Sequence, residues 1–465
     1  MSVSVKASGE EIASQLAELL DEDRYDEVLN IFESLDPYTA LSVLIHLGRD
    51  YRSELLSRVS LNNLTPVLSK MPDEIFYQLT LVRGLDDLAK VLSHLPYDEI
   101  ADVMLKLTPR QRAQLLSLLP KESAREVEKL LKYHPESVGG VMTTQVPIFN
   151  KDMTVSEARD IYVTRDKAGF YDKHHYIYVV DEKGRLYGWV EVKSFLIKPP
   201  HIKLSECSQK PPATVNVNMD REVAARIAVR YDLLEVPVVD DEGRFLGVVT
   251  LDDVLDITVG ELSEDLLKYG GYFEALRGSY IAASPLKLAL RRAPMIIYLY
   301  LMDSITGSIV ASFISTIERF AILAAFLPML SDNSGNIGSQ ASTIVLRGLV
   351  LGELRPTYKD ILRVLRKEFA VTSLMLTILM PVAFTIGFAV SFVGGLTLLG
   401  ALKIALVVSL ALIVSCYIAD IVGALLPVML AKMRVDPAVV SAPLITTIAD
   451  IATSLSYFLV ATYLL

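Results

Sequence analysis

The chain has only two cysteines in 465 residues, Cys207 and Cys416, and neither lies near a second thiol or a histidine at metal-ligand spacing. A disulfide framework and a zinc site are therefore not expected, which suits a reducing cytosol. Histidine is scarce too: six residues, His174-His175 among them, with no ligand spacing. The opening MSVSVKASGEEIASQ lacks an apolar core, so no cleavable leader is expected and membrane insertion would rest on later segments. Basic charge is outnumbered, 45 Lys and Arg against 55 Asp and Glu. An acidic face repels nucleic-acid phosphates and attracts cations, so no nucleic-acid partner is expected.

What is present divides unevenly. From Arg291 to Leu465 there are 12 basic and 9 acidic residues, which leaves 33 and 46 in the first 290 and a net charge there of −13. The 52% hydrophobic content thus averages an acidic soluble module with a membrane domain.

Residues 10–134 read as short helices opened by proline, at Pro72, Pro96, Pro109 and Pro120, with acids following in the first turns. Stacked short helices of this kind predict an all-α superhelical domain over 1–135, with no catalytic residues. Residues 138–257 hold an internal repeat: YVVDEKGRLYGWVEVKSFL over 178–196 returns 59 residues later as PVVDDEGRFLGVVTLDDVL over 237–255. Each copy predicts a strand, an Asp-x-x-Gly turn, a second strand and a helix start, preceded by a helix over 155–164 or 221–231. This β-α-β-β-α pattern resembles a tandem CBS domain pair, here 136–257 with copies at 138–199 and 203–257. Such pairs regulate, binding adenosyl nucleotides or metal ions. A charged linker helix of the plug type is expected over 258–293.

Five membrane helices are expected over 294–465, at 294–317, 320–346, 369–393, 402–430 and 438–463, each near the ~20 residues that a bilayer needs. Arg347, Arg355, Lys359, Arg363, Arg366 and Lys367 lie between the second and third, Lys432 and Arg434 between the last two, and Arg291 and Arg292 before the first. The positive-inside rule then puts the soluble module in the cytosol and the C-terminus outside, in a plasma (inner) membrane.

Asp450 stands in the middle of the last apolar segment. A carboxylate at that depth costs at least a few kcal/mol unless it meets a partner, water or an ion, and a cation is its natural partner. The second segment carries Pro328 and the small and amide residues Gly335, Asn336, Gly338 and Gln340. Packing of small residues is one reading of that run; a water-filled path lined by oxygens, fit for a hard hydrated cation, is the other. Together with Asp436, Pro437, Ala438, Pro443, Thr447 and Asp450, this pattern resembles the MgtE-type magnesium channels and transporters, and the order of domains resembles theirs along nearly the whole chain.

The resemblance implies a homodimer in a lipid bilayer, with no obligate protein partner, that imports Mg²⁺ as substrate and is gated by cytosolic Mg²⁺. It implies an ion path at Asp450, Asn336, Gly335, Gly338, Gln340, Ala442, Pro443, Thr446 and Thr447. It places regulatory Mg²⁺ at Asp220, Glu222, Asp232, Asp253, Asp436, Glu264 and Asp265, with Asp256 and Glu261 beside them. An adenine nucleotide would use Thr250 and Asp253, but the Arg-Asp pair and the aromatic of ATP-binding members are Lys193-Ser194 and Leu233 here. The acidic stretch of the family's helical domain reads Pro109-Arg110-Gln111-Arg112-Ala113-Gln114, so a reduced part in sensing is expected unless the fold brings Asp98 and Glu99 to that interface. Asp303 and Asp420 are further membrane carboxylates, Asp420 standing where the family pattern has asparagine.

Rival readings are a less selective carrier of Mn²⁺, Co²⁺ or Ni²⁺, which would want softer ligands, and a membrane-tethered CBS sensor without transport. An intramembrane aspartyl protease using Asp420 and Asp450 lacks its usual motifs, and no enzyme activity is expected.

Overall fold

The computed structural model describes residues 8–272 and 279–465. Proline and acidic residues punctuate the first 130 residues, and the punctuation opens helices. Helices α1 (Gly9–Asp21), α2 (Tyr25–Glu33), α3 (Pro37–His46), α4 (Arg49–Arg58), α5 (Asp73–Leu92), α6 (Tyr97–Leu105), α7 (Pro109–Leu118) and α8 (Lys121–Leu130) follow one another. Ser8 and Glu11 form a capping box on α1, and Thr108 and Gln111 form one on α7, with Pro109 in its first turn. These caps satisfy amide groups that short helices would otherwise leave unpaired.

The repeat builds two copies of one sheet. Strands β1 (Ile148–Asn150), β2 (Tyr176–Val180) and β3 (Leu186–Glu191) pair in that order, and β4 (Val215–Asn216), β5 (Glu235–Val239) and β6 (Phe245–Thr250) do the same. In each copy the first pairing is parallel and the second antiparallel. The turns match: Asp181 accepts from the amides of Lys183 and Arg185, and Asp240 from those of Glu242 and Arg244. Gly184 and Gly243 take the left-handed conformation that the turn requires. Gly188 and Gly247 let a neighbouring backbone carbonyl, Gln209 or Thr143, press against the strand where a side chain would collide.

Helices α9 (Val155–Lys167), α10 (Val192–Ile197), α11 (Leu204–Cys207) and α12 (Arg221–Tyr231) complete the pair, and α13 (Leu251–Tyr269) runs directly off β6. One hydrophobic core joins the helical domain to the second repeat, through residues such as Leu92, Val103, Val138, Val236 and Val248. The first repeat has its own core around Phe149, Ile177, Val179 and Phe195.

The chain divides into two compact units. The first comprises the helical and CBS parts through Glu261 with residues 279–283; the second comprises 262–272 and the chain from Ser284 onward. In the second unit α14 (Pro285–Ser312), a short α15 (Ile314–Arg319), α16 (Leu323–Val350), α17 (Tyr358–Val393), α18 (Leu398–Lys432) and α19 (Ala442–Leu464) follow. Four of these, α14, α17, α18 and α19, are long and apolar enough to cross a membrane by length and composition. Helix α16 has the length, 28 residues, but its Ser331–Gln340 run lowers its hydropathy. Helix α14 starts at Pro285 rather than 294, since Ser284 caps it and the amphipathic turn before Pro294 is already helical. The linker expected over 258–293 is correspondingly not one helix. Its α13 part ends at Tyr269, and 273–278 lie outside the described residues.

Helix α18 lies at the centre of the second unit, with sixteen buried residues along its length, whereas α14 buries Met295 alone. Small residues set the spacing. A side chain on Gly423 would collide with the Gly338 carbonyl, and one on Gly338 would meet the Ala419 carbonyl at 2.9 Å. Helices α16 and α18 therefore touch backbone to backbone.

Candidate ion path and acidic cleft

Helices α16 and α19 carry the expected path residues. Gly335 and Gly338 are buried, because they form the contact faces of α16. A side chain on Gly335 would meet the Thr446 methyl at 3.0 Å, so Gly335 sets how closely α19 approaches. The Ser334 and Thr453 hydroxyls bond across this seam at 2.6 Å, and the buried Tyr457 hydroxyl donates to the Leu323 carbonyl at 2.9 Å. Asn336 and Gln340 point the other way. With Asp332 they form an i, i+4, i+8 stripe on the exposed face of α16, and the Asn336 amide reaches Asp332 at 3.4 Å.

Asp450 is half-buried next to Ser331, and the charges of Asp303 and Asp332 both reach it. Three carboxylates from α14, α16 and α19 thus share one region of the unit. Thr447 is buried, Thr446 donates to the Pro443 carbonyl, and Ala442 and Pro443 open α19 behind the Ser441 cap. Asp332 and Asp303 were not among the expected path residues. The signal for Asp332 is its spacing, four residues before Asn336.

The expected regulatory acids separate into four places. Asp220 caps α12 through the Glu222 amide, and Glu222 pairs with Arg226 at 3.2 Å. Asp232 ends α12 in a left-handed conformation and is exposed. Glu261 pairs with Arg221 at 2.9 Å, and Asp256 pairs with Lys70 of the helical domain at 2.9 Å. In the second unit Lys268 bridges Glu264 at 2.7 Å and Asp436 at 2.6 Å, and Asp265 follows Glu264 on the same helix. Burial opposes the Lys268 charge, but the bonds to Asp436 and Glu264 outweigh it and raise its pKa.

Asp253 is the fourth place, and it is crowded. It accepts from the Thr250 hydroxyl at 2.6 Å, within electrostatic reach of Asp252 and Asp102. Asp98 stands within reach of Asp253, Asp172 and Asp102, and its Oδ1 is buried without a hydrogen-bond partner. Burial and these neighbours push Asp98 well above the ordinary carboxylate range and Asp253 up to about 7. Glu99 is anchored by the Ser69 hydroxyl at 3.1 Å, and Lys173 screens Asp252 at 3.1 Å. The helical domain therefore does supply carboxylates to the CBS pair, through the first turns of α6 rather than through 109–114. The spacing Asp98, Glu99, Asp102 on one helix was the available signal; Asp172 comes from a loop that carries none.

Thr250 is buried, and its hydroxyl lies 2.6 Å from both the Asp252 and Asp253 carboxylates. Among the described residues, no three His, Cys, Asp or Glu side chains are arranged to hold a metal ion as they stand.

Comparison with known proteins agrees with this architecture. Residues 327–460 match the MgtE divalent cation transporter family, 138–198 and 204–260 match CBS domains, and 77–136 match the MgtE intracellular N domain. Magnesium transporter MgtE of Thermus thermophilus is 32% identical over 98% of this chain and 99% of its own length. Magnesium transporter MgtE of Bacillus subtilis is 28% identical, with 97% of each chain covered. A crystal structure of the cytosolic domain of the Mg²⁺ channel MgtE in complex with ATP shares 31% identity, covers 53% of this chain and 99% of that one, and gives a TM-score of 0.47. With its domains matched in order and a relative similar from end to end, the chain belongs to the MgtE family of divalent cation transporters.

Proposed function

We propose that the chain transports Mg²⁺ into the cytosol as a homodimer, through a path along α16 and α19 centred on Asp450, and is regulated by cytosolic Mg²⁺. The relatives named magnesium transporters support the substrate, being similar over nearly the whole chain. The observation that carries the reading is the polar stripe of Asp332, Asn336 and Gln340, exposed on one chain, with its Asp332 end near Asp450. Lipid would leave those groups unsatisfied, so water or a second copy must face them. A two-fold axis would set two stripes and two Asp450 carboxylates opposite each other. Mg²⁺ dehydrates reluctantly, and carboxylates and amide oxygens can hold it through its waters.

Regulation is assigned to the acids of the CBS pair and linker helix. Carboxylates that crowd around Asp253 repel when ionised, and a divalent cation removes the repulsion and favours the compact, closed state. The same acids oppose a triphosphate, so the cleft is assigned to cations rather than to an adenine nucleotide. The excess of Lys and Arg between α16 and α17 supports a cytosolic soluble unit.

The test is influx into proteoliposomes holding a Mg²⁺-sensitive dye, wild type against Asp450→Ala, with Mn²⁺, Co²⁺ and Ni²⁺ as competitors. Mg²⁺ influx that requires Asp450 and persists against the other ions is expected. Equal influx from both proteins would end the assignment of the path.

A further inference from the structure

Helix α17 buries a regular stripe: Val364, Glu368, Thr372 and Leu376, each four residues from the last. Such spacing places all four side chains on one face, and that face packs on α18. Val364 joins a core with Ala424 and Val428, and Leu376 joins one with Leu412 and Cys416. The helices run antiparallel along this seam, so Glu368 and Thr372 fall at the level of Asp420, between two apolar clusters. Glu368 is 7% exposed and Asp420 2%. The charge of Asp420 is felt at Glu368, and Thr372 lies alongside Asp420.

The polar atoms there are incompletely satisfied. Asp420 Oδ2 and Thr372 Oγ1 are both buried with no hydrogen-bond partner. The groups that bear on the pair are Lys367, next to Glu368 at the basic end of α17, and the Cys416 thiol one turn before Asp420. Asp332 on α16 bears on Asp450 of α19, whereas burial and Thr372 are what bear on Asp420. Two buried carboxyls within electrostatic reach of each other oppose joint ionisation, and a proton held by the pair supplies the missing donor. Such a pair titrates as a unit. A proton also fits where packing is tight, whereas Mg²⁺ would bring its waters.

We propose that Glu368 and Asp420 form a proton-binding site between α17 and α18, separate from the Asp450 path, that holds one proton at neutral pH with Thr372 as a hydrogen-bond partner.

The experiment is infrared difference spectroscopy of the full chain in lipid nanodiscs, in H₂O and D₂O, reading the carbonyl band of a protonated carboxyl. Wild type is compared with Asp420→Asn, Glu368→Gln and Thr372→Val, with and without Mg²⁺. A band at neutral pH that each carboxyl variant removes, that Thr372→Val shifts without abolishing, and that Mg²⁺ leaves in place is expected. Proton release on denaturation at neutral pH would fall by about one per chain in each carboxyl variant. Should Asp420→Asn fail to fold, Glu368→Gln and Thr372→Val still decide the matter. A wild-type spectrum equal to those of the variants, or a band that Mg²⁺ displaces, would overturn the proposal, the latter by making the pair a cation site.

Discussion

The chain gathers carboxylates in two regions and holds them in opposite ways. In the soluble unit Asp98, Asp172 and Asp253 come from α6, a loop and α13, and burial and mutual charge raise all three above the ordinary carboxylate range. In the membrane unit Asp303, Asp332 and Asp450 come from three helices and stay open: Asp450 is half-buried, and the other two are exposed on the single chain. Crowded acids store repulsion that a bound cation can release, which suits a switch. Open acids suit an ion that must leave again, since conduction needs binding weak enough for release. Residue type is the same in both regions; enclosure is what differs.

The sharpest way to break this comparison is at Asp450. Asp450→Ala should reduce Mg²⁺ influx at least tenfold, roughly what losing a contact of ~1.4 kcal/mol would do, while the response of the soluble unit to Mg²⁺ stays intact. Next in size is Gly423→Ala. The added methyl meets the Gly338 carbonyl and should destabilise the membrane unit by about 1–3 kcal/mol, read as a lower unfolding temperature in detergent.

A smaller effect is expected from pH. The Asp253 carboxyl is raised from 3.8 to about 7 in the folded chain, so its contribution is fully present below about pH 3.8 and is lost as pH rises through about 7. The single tryptophan, Trp189, stacks on Tyr176 at 4.0 Å in the first CBS repeat, so its fluorescence follows the soluble unit within the full chain. Without Mg²⁺ that unit should melt about 2–4 °C lower at pH 8 than at pH 6, the shift that ~1 kcal/mol makes at this size. Mg²⁺ should restore it at pH 8, and Asp253→Asn should reduce the pH dependence. The smallest effect belongs to Lys268→Met. Lys268 occupies the space between Glu264 and Asp436, groups about a quarter to two fifths exposed, and its loss should raise the apparent Mg²⁺ affinity a few-fold.

Much of this architecture was legible in the sequence, because it rests on local rules. The 59-residue repeat fixed matching turns at Asp181 and Asp240, and matching close approaches at Gly188 and Gly247. Proline and capping residues marked the starts of the helices. The charged residues of the linker expected over 258–293 belong to two elements, α13 and the start of α14, which charge pattern alone does not separate. Nor did the sequence reveal the cleft, since Asp172 lies on a loop and the side chains that meet Asp98 come from segments up to about 150 residues away. Glu368 stood at the edge of an expected span, beside Lys367, and its burial shows only once α17 is followed as one continuous helix with a four-residue stripe.

The most direct test of the division between path and switch is Mg²⁺ influx into proteoliposomes with Mg²⁺ on the cytosolic face varied from zero to ~10 mM, the weak end of carboxylate sites. Asp450→Ala, the double variant Asp98→Asn with Asp253→Asn, and wild type are compared side by side. The account expects influx from Asp450→Ala to stay at least about tenfold below the open wild-type level at every concentration, influx that cytosolic Mg²⁺ shuts off in wild type, and influx that stays on in the double variant. A double variant that closes at the same Mg²⁺ concentration as wild type would contradict it, because the crowded acids would then have no part in the gate.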